Sequence, residues 1–176
     1  MLENKVIESL KSRRSIRKYK SDMPSKEVID KILEVGSYAP TGMNRQSPII
    51  IAITNREVRD RLSKLNAKIM GRDGIDPFYG APIILIVLVD KKCSTAIYDG
   101  SLVMGNLMNA AHALGLGSCW IHRAKEEFET DEGKKMLKSL GIEGDYEGIG
   151  HCILGYVDME LPQASPRKDD YIYRID

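Results

Sequence analysis

The sequence predicts an α+β fold, an α/β sandwich with one central sheet flanked by helices. Three features predict it. The runs "IIIAIT" and "IILIVLVD" are continuous and rich in β-branched residues, as strands buried on both faces are. Segments with apolar residues at helical spacing alternate with these runs, which points to a sheet covered on both sides. The stretch from Ser94 to Leu116 is apolar around most of its circumference, so it reads as a helix enclosed on several sides. The chain has 176 residues, 43% hydrophobic and 29% charged, enough for one core, and a single domain over 1–176 is expected. No repeat, linker or low-complexity segment interrupts it.

In chain order, Val6, Ile7 and Leu10 recur at helical spacing and give a short first helix that delivers an arginine cluster at its C-terminal end. Ser25, following Pro24, is a candidate N-cap for a second helix that turns Val28, Ile29, Ile32, Leu33 and Val35 inward and stops before Pro40. "TGMNRQSP" is a turn-rich, amide-rich loop leading into the first strand. Thr54 and Glu57 form a capping box for a helix running to about Lys68. Glycines, aspartates and a proline make "MGRDGIDPFYGAP" a loop before the second strand. After the long buried helix, "GSCWI" and "GIGHCILGYV" read as strands, with an amphipathic helix near Asp131 to Leu140 between them. The ending "DYIYRI" alternates like one further strand. It follows the polar passage "ELPQASPRKDD", long enough to cross a surface, so its expected partner is the sheet edge of another subunit.

Charge and cysteine content exclude several functions. A net charge of +1 is not that of a general nucleic-acid binder, so a cationic patch here would serve a small anion. Cys93, Cys119 and Cys152 are odd in number, widely spaced and in no CxxC pair, which predicts reduced thiols and a cytoplasmic setting. The first residues carry acids and lack the apolar core of a signal peptide. Asn106, Asn109 and His112 interrupt the most apolar segment, which argues against a membrane span. His112 and His151 read as satisfied core or interface histidines, and Cys119 as a small apolar residue. With no His, Cys and carboxylate at ligand spacing, no metal is expected.

The cluster in "SRRSIRKY" raises the question of an anion. Arg13, Arg14 and Arg17 offer permanent, planar donors matched to phosphate, and Ser15 adds a hydroxyl. Spacing alone equally suits solvated cations that complement a helix C-terminus. The blocks "RRSIRKY", "APTGMNRQSP" and "ALGLGSCWI", in this order, together with "SPRKDD" before a terminal strand, are similar to the nitroreductase family of FMN-dependent oxidoreductases. The similarity spans essentially the whole chain.

The resemblance implies a mainly antiparallel sheet, a homodimer, and a C-terminal strand exchanged with the partner subunit. It implies FMN as cofactor, with Arg13, Arg14 and Ser15 on the phosphate and ribityl chain, and Arg17 toward the pyrimidine edge, where a cation favours reduced flavin. Pro40, Thr41, Gly42, Asn44 and Gln46 are carried over as contacts made by the neighbouring subunit, where amides suit the alternating donors and acceptors of a flavin. The resemblance also implies that Cys119, Trp120, Ile121 and His122 are candidates to touch the ring near N5 through the main chain. Many members of the family have a proline and an acidic residue followed by glycine there, where this sequence has "CWIHRAKEEF". Arg167, helped by Lys168, closes on the phosphate.

The implied activity is hydride transfer from NAD(P)H to the flavin and on to a nitroaromatic, quinone or similar small acceptor, by ping-pong kinetics and with no catalytic side chain. Two alternatives remain: a specialised flavin relative, performing reductive dehalogenation or flavin-consuming chemistry, and a non-catalytic FMN-binding module. The segments that would form a lid, "NAKIMGRDGIDPFYG" and "HRAKEEFETDEG", are modest in length, which predicts an open pocket.

Overall fold

A computed structural model describes residues 4–175. The core is a four-stranded antiparallel sheet in the order β1-β2-β4-β3, built from β1 (Ile49–Ile53), β2 (Ile83–Asp90), β3 (Gly117–Ile121) and β4 (Tyr146–Gly155). The side chains of β2 alternate between two covered faces, which explains its unbroken apolar run. Ile84, Ile86 and Leu88 pack with Leu62, Phe78, Phe128 and Leu137 beneath α3 (Arg56–Ile69), α5 (Ala124–Glu129) and α6 (Asp131–Ser139). Ile83, Leu85 and Val87 pack with Ile29, Ile32, Met104 and Leu107 beneath α2 (Lys26–Ser37) and α4 (Ala96–Ala113). Each fully buried Ile or Leu here contributes roughly 1.5–3 kcal/mol relative to exposure. Gly100 lets α4 approach the sheet, since a Cβ there would come within 2.8 Å of Val89 Cγ1.

The chain enters through α1 (Lys5–Ser12), capped by Asn4, and then runs along the outer edge of β3. Ser15 bridges Ser118 in parallel, the Ile16 amide donates to the Ser118 carbonyl at 2.9 Å, and Tyr19 bridges Val157. Ile16 and Tyr19 are buried, and the Tyr19 hydroxyl donates to the Ile16 carbonyl at 2.7 Å. This edge contact fixes where the arginine cluster sits.

Several expectations are corrected. Val6, Ile7 and Leu10 are all more than half exposed, so α1 has an apolar face that nothing among the described residues covers; Val35 also faces outward. The cap of α3 is Asn55, whose Oδ1 accepts from the Val58 amide, one residue after the expected Thr54. β1 is an edge strand, with Ala52 exposed. His151 lies inside β4, not at its start, and α5 is a helix that the sequence reading did not separate. The C-terminal "DYIYRI" forms no strand within the chain. A 3-10 turn at Asp169–Tyr171 leads to an extended, exposed tail in which Tyr171, Ile172 and Tyr173 are each more than two-thirds solvent-accessible. A strand needs a ladder partner, and the described chain supplies none there.

Candidate functional site

The C-terminal ends of α1 and α4 meet, and Ser12 Oγ lies 2.8 Å from His112 Nε2. Arg13 follows as the C-cap of α1, and its Nη1 is buried with no hydrogen-bond partner. A buried donor without an acceptor is costly in a native structure and calls for an explanation. Ser118 Oγ and Trp120 Nε1 are buried and equally unpartnered. Ser118 and Trp120 are two residues apart on β3, so they project from one face of the sheet, while Cys119 and Ile121 are buried in the layer on the other face. Burial, then Arg13 and Arg14, hold the His112 imidazole below its ordinary range, which marks the site as electropositive.

Not every arginine of the cluster is free. Arg14 donates to the carbonyls of Lys11, Arg13 and Pro162, so it closes the last turn of α1 and ties down the C-terminal passage. Ser15 is half-buried at its bridge to β3, and Arg17 is exposed. Among the described residues no carboxylate pairs with Arg13, Arg14 or Arg17. Unspent donors with no counter-charge fit a phosphate-bearing group.

The amide-rich loop lies elsewhere. Pro40 is exposed, Thr41 Oγ1 accepts from the Gln46 amide, and Gln46 Nε2 donates to Asn44 Oδ1 at 3.3 Å. Met43, Asn44 and Gln46 all adopt left-handed backbone, a conformation uncommon for residues other than glycine. The buried Asp99 holds the loop, accepting from the Gly42 amide at 3.0 Å and from Thr95 Oγ1 at 2.9 Å. Below the loop, the Thr95 hydroxyl and main chain, with Arg45 and Ser47, lower the ionisation range of the Cys93 thiol.

Asp99 and His112 stand on the same helix, thirteen residues apart, which at the α-helical rise separates them by about 20 Å. One chain therefore does not unite the loop with the arginines. The β3 block does lie beside the arginines, through Ser118. Arg167 and Lys168 are exposed, and Arg167 donates only to the nearby Ser165 carbonyl, so the chain by itself does not close them onto Arg13.

Both segments noted for their modest length are packed against the chain's own elements. Asp76 accepts from Arg59, Ser63 and the amides of Phe78 and Gly80, and pins its loop down, with Phe78 fully buried. Residues after β3 fold into α5, against β4. The cavity of about 690 Å³ lined by Arg59, Asp60, Ser63 and Asp76 has Arg59 already paired with both carboxylates and includes no residue of the arginine cluster. No helix is long and apolar enough to cross a membrane among the described residues.

Sequence reasoning missed Ser118 and Asp99. Ser118 sits inside a quoted motif but is legible only through its orphaned hydroxyl, and Asp99 resembles any first-turn helix acid until its loop partners are seen.

Comparison with known proteins identifies the family of the chain. The model of the family described as "Nitroreductase family" matches residues 10–156. A protein of Methanothermobacter thermautotrophicus is 32% identical over 120 residues, covering 65% of this chain and 59% of its own length, less than two-thirds. One from Archaeoglobus fulgidus is 30% identical over 170 residues, covering 94% of this chain and 88% of its own length. Both bear the name "Putative NADH dehydrogenase/NAD(P)H nitroreductase". The crystal structure of a nitroreductase with bound FMN from Bacteroides fragilis superposes with a TM-score of 0.89 at 27% identity, covering 99% of this chain and 100% of that one.

Proposed function

We propose that this chain, which belongs to the nitroreductase family, is an FMN-dependent oxidoreductase that takes hydride from NAD(P)H and reduces a nitroaromatic, quinone or similar small acceptor. The observation that carries the cofactor assignment is the buried Arg13 Nη1 without an acceptor, two residues before the Ser15 that bridges Ser118, in a cluster with which no carboxylate pairs among the described residues. A flavin phosphate supplies what these donors lack. FMN, when bound, provides the hydride-accepting and hydride-donating chemistry in turn.

The protein's part is binding and orientation. Arg13 and Ser15 hold the phosphate, and Arg14, already anchored to Lys11 and Pro162, adds charge and fixes the C-terminal passage over it. Arg17 faces the pyrimidine edge, and the main chain of Cys119, Trp120, Ile121 and His122 runs beside the ring. Pro40, Thr41, Gly42, Asn44 and Gln46 come from a second copy. The length of α4 supports that assignment: two copies packed antiparallel along this helix bring the loop end of one to the arginine end of the other, a separation of about 20 Å within each chain. The uncovered apolar residues of α1 and α4, among them Ile7, Leu10, Ile97, Tyr98 and Leu102, supply the contact. The exposed tail adds a strand to the partner, with Arg167 and Lys168 closing on the phosphate.

Steady-state kinetics test the reading. Initial rates with FMN-loaded protein, NAD(P)H and a nitroaromatic or quinone should give parallel double-reciprocal lines. Intersecting lines would contradict the alternation of substrates in one pocket, and an FMN-loaded protein that oxidises no NAD(P)H would be a binding module.

A further inference from the structure

Behind the end of β3 lies a set of buried polar groups not used above. Glu127 of α5, His151 of β4 and Asn66 of α3 are each completely buried. Glu127 Oε1 accepts from Asn66 Nδ2 at 2.6 Å, and Glu127 Oε2 lies 2.8 Å from His151 Nε2. The other ring nitrogen of His151, Nδ1, lies 3.3 Å from the Ile121 carbonyl oxygen. Asn66 Nδ2 also donates to the His122 carbonyl at 3.0 Å, and Asn66 Oδ1 accepts from Arg123 Nε at 2.9 Å. Three consecutive residues, Ile121, His122 and Arg123, are thus gripped from two other elements, α3 and β4, whose gripping side chains Glu127 ties together.

Stability is a weak reason for such a set, because well-packed apolar residues serve as well as or better than a buried ionic group. Its geometric effect is specific. A peptide unit is planar, with its carbonyl and N–H directed oppositely. Drawing the Ile121 and His122 carbonyls into the interior therefore turns the His122 and Arg123 amides outward. Neither amide has a main-chain acceptor among the described residues. Arg123 is held in left-handed backbone, φ 79°, at a place where glycine would be unstrained, and the bond from its guanidinium to Asn66 helps hold it there.

We propose that Asn66, Glu127, His151 and the Arg123 side chain are positioning residues that fix this turn so that the His122 and Arg123 amides face the N5 edge of the flavin. The inference rests on the reading of the β3 end as cofactor-facing.

The test uses the full chain loaded with FMN isotopically labelled at N5, and reads the nitrogen resonance of that atom. Asn66→Leu removes both Nδ2 bonds and should move the resonance downfield, toward that of a ring nitrogen without a donor. Glu127→Gln should leave it at the wild-type position, because the amide oxygen still accepts from Asn66 and the amide nitrogen donates to His151. An unmoved resonance in FMN-bound Asn66→Leu, or equal displacement in both variants, overturns the proposal. Amide exchange in the wild-type protein decides the matter where Asn66→Leu does not fold. The His122 and Arg123 amides should exchange freely without FMN and become protected with it; protection unchanged by FMN overturns the assignment. A wild-type chain that takes up no FMN instead overturns the cofactor reading itself, before any variant is compared.

Discussion

Replacing Arg13 by methionine should move apo stability and cofactor affinity in opposite directions. Methionine keeps most of the apolar stem but removes the buried Nη1 that finds no acceptor. An unsatisfied buried donor costs about 1–3 kcal/mol, and its removal returns that amount to the apo protein. Loss of a cation at the C-terminal end of α1 subtracts about 0.3–1 kcal/mol. The net gain lies between about 0 and 2.7 kcal/mol, and each kcal/mol raises the midpoint of a domain this size by about 2–4 °C. A hydrogen bond to a charged group contributes about 1.5–3 kcal/mol, so FMN should bind about 10- to 150-fold more weakly. Calorimetric melting of the apo variant, paired with titration by FMN, reads both quantities. A variant that melts lower and binds FMN as tightly as wild type would refute the reasoning, because Arg13 would then be structural.

Three further outcomes follow from the same geometry. Deleting the chain from Arg167 onward should lower both flavin retention and dimer mass, as read by visible absorbance and light scattering; a truncated protein that stays dimeric and fully yellow contradicts the role given to the tail. His112 protonates less readily in the folded chain than its ordinary value of 6.5, so below that pH the unfolded chain binds more protons, and stability falls as pH drops through that window. Urea midpoints across it should decline more steeply in wild type than in His112→Asn, and identical slopes would dismiss the effect. Gly150→Ala places a Cβ within 2.9 Å of Trp120 Cε2, and overpacking of this kind costs about 1–3 kcal/mol. Trp120 is the sole tryptophan, so its emission should shift with the loss of stability, and an unchanged spectrum would show that the indole has room.

Much of the fold is legible in the residues. The run over β2 is apolar without interruption because both of its faces are covered, and the helix from Ser25 to Ser37 carries its own cap signal. What stayed hidden depends on partners. Periodicity shows that α1 has an apolar face, but Val6, Ile7 and Leu10 find no cover among the described residues, so spacing alone predicts burial that is absent there. The alternation in "DYIYRI" fits a strand but cannot supply a ladder. Thr54 and Asn55 are both competent caps, and only backbone geometry selects Asn55. At the candidate site, the arginines follow the end of α1, where apolar spacing places them, but their position beside β3 depends on the bridge from Ser15 to Ser118, which spacing does not show. The network of Asn66, Glu127 and His151 was invisible because "AKEEFE" looks like a solvated helix face, whereas Glu127 is fully enclosed.

On the function proposed for it, this chain holds an FMN that NAD(P)H reduces. Anaerobic titration of the FMN-loaded protein with NAD(P)H, followed through the visible flavin band, tests it most directly. Bleaching should be complete at one equivalent per flavin, and the band should return when a quinone is added. A band that persists under excess NAD(P)H would contradict this function.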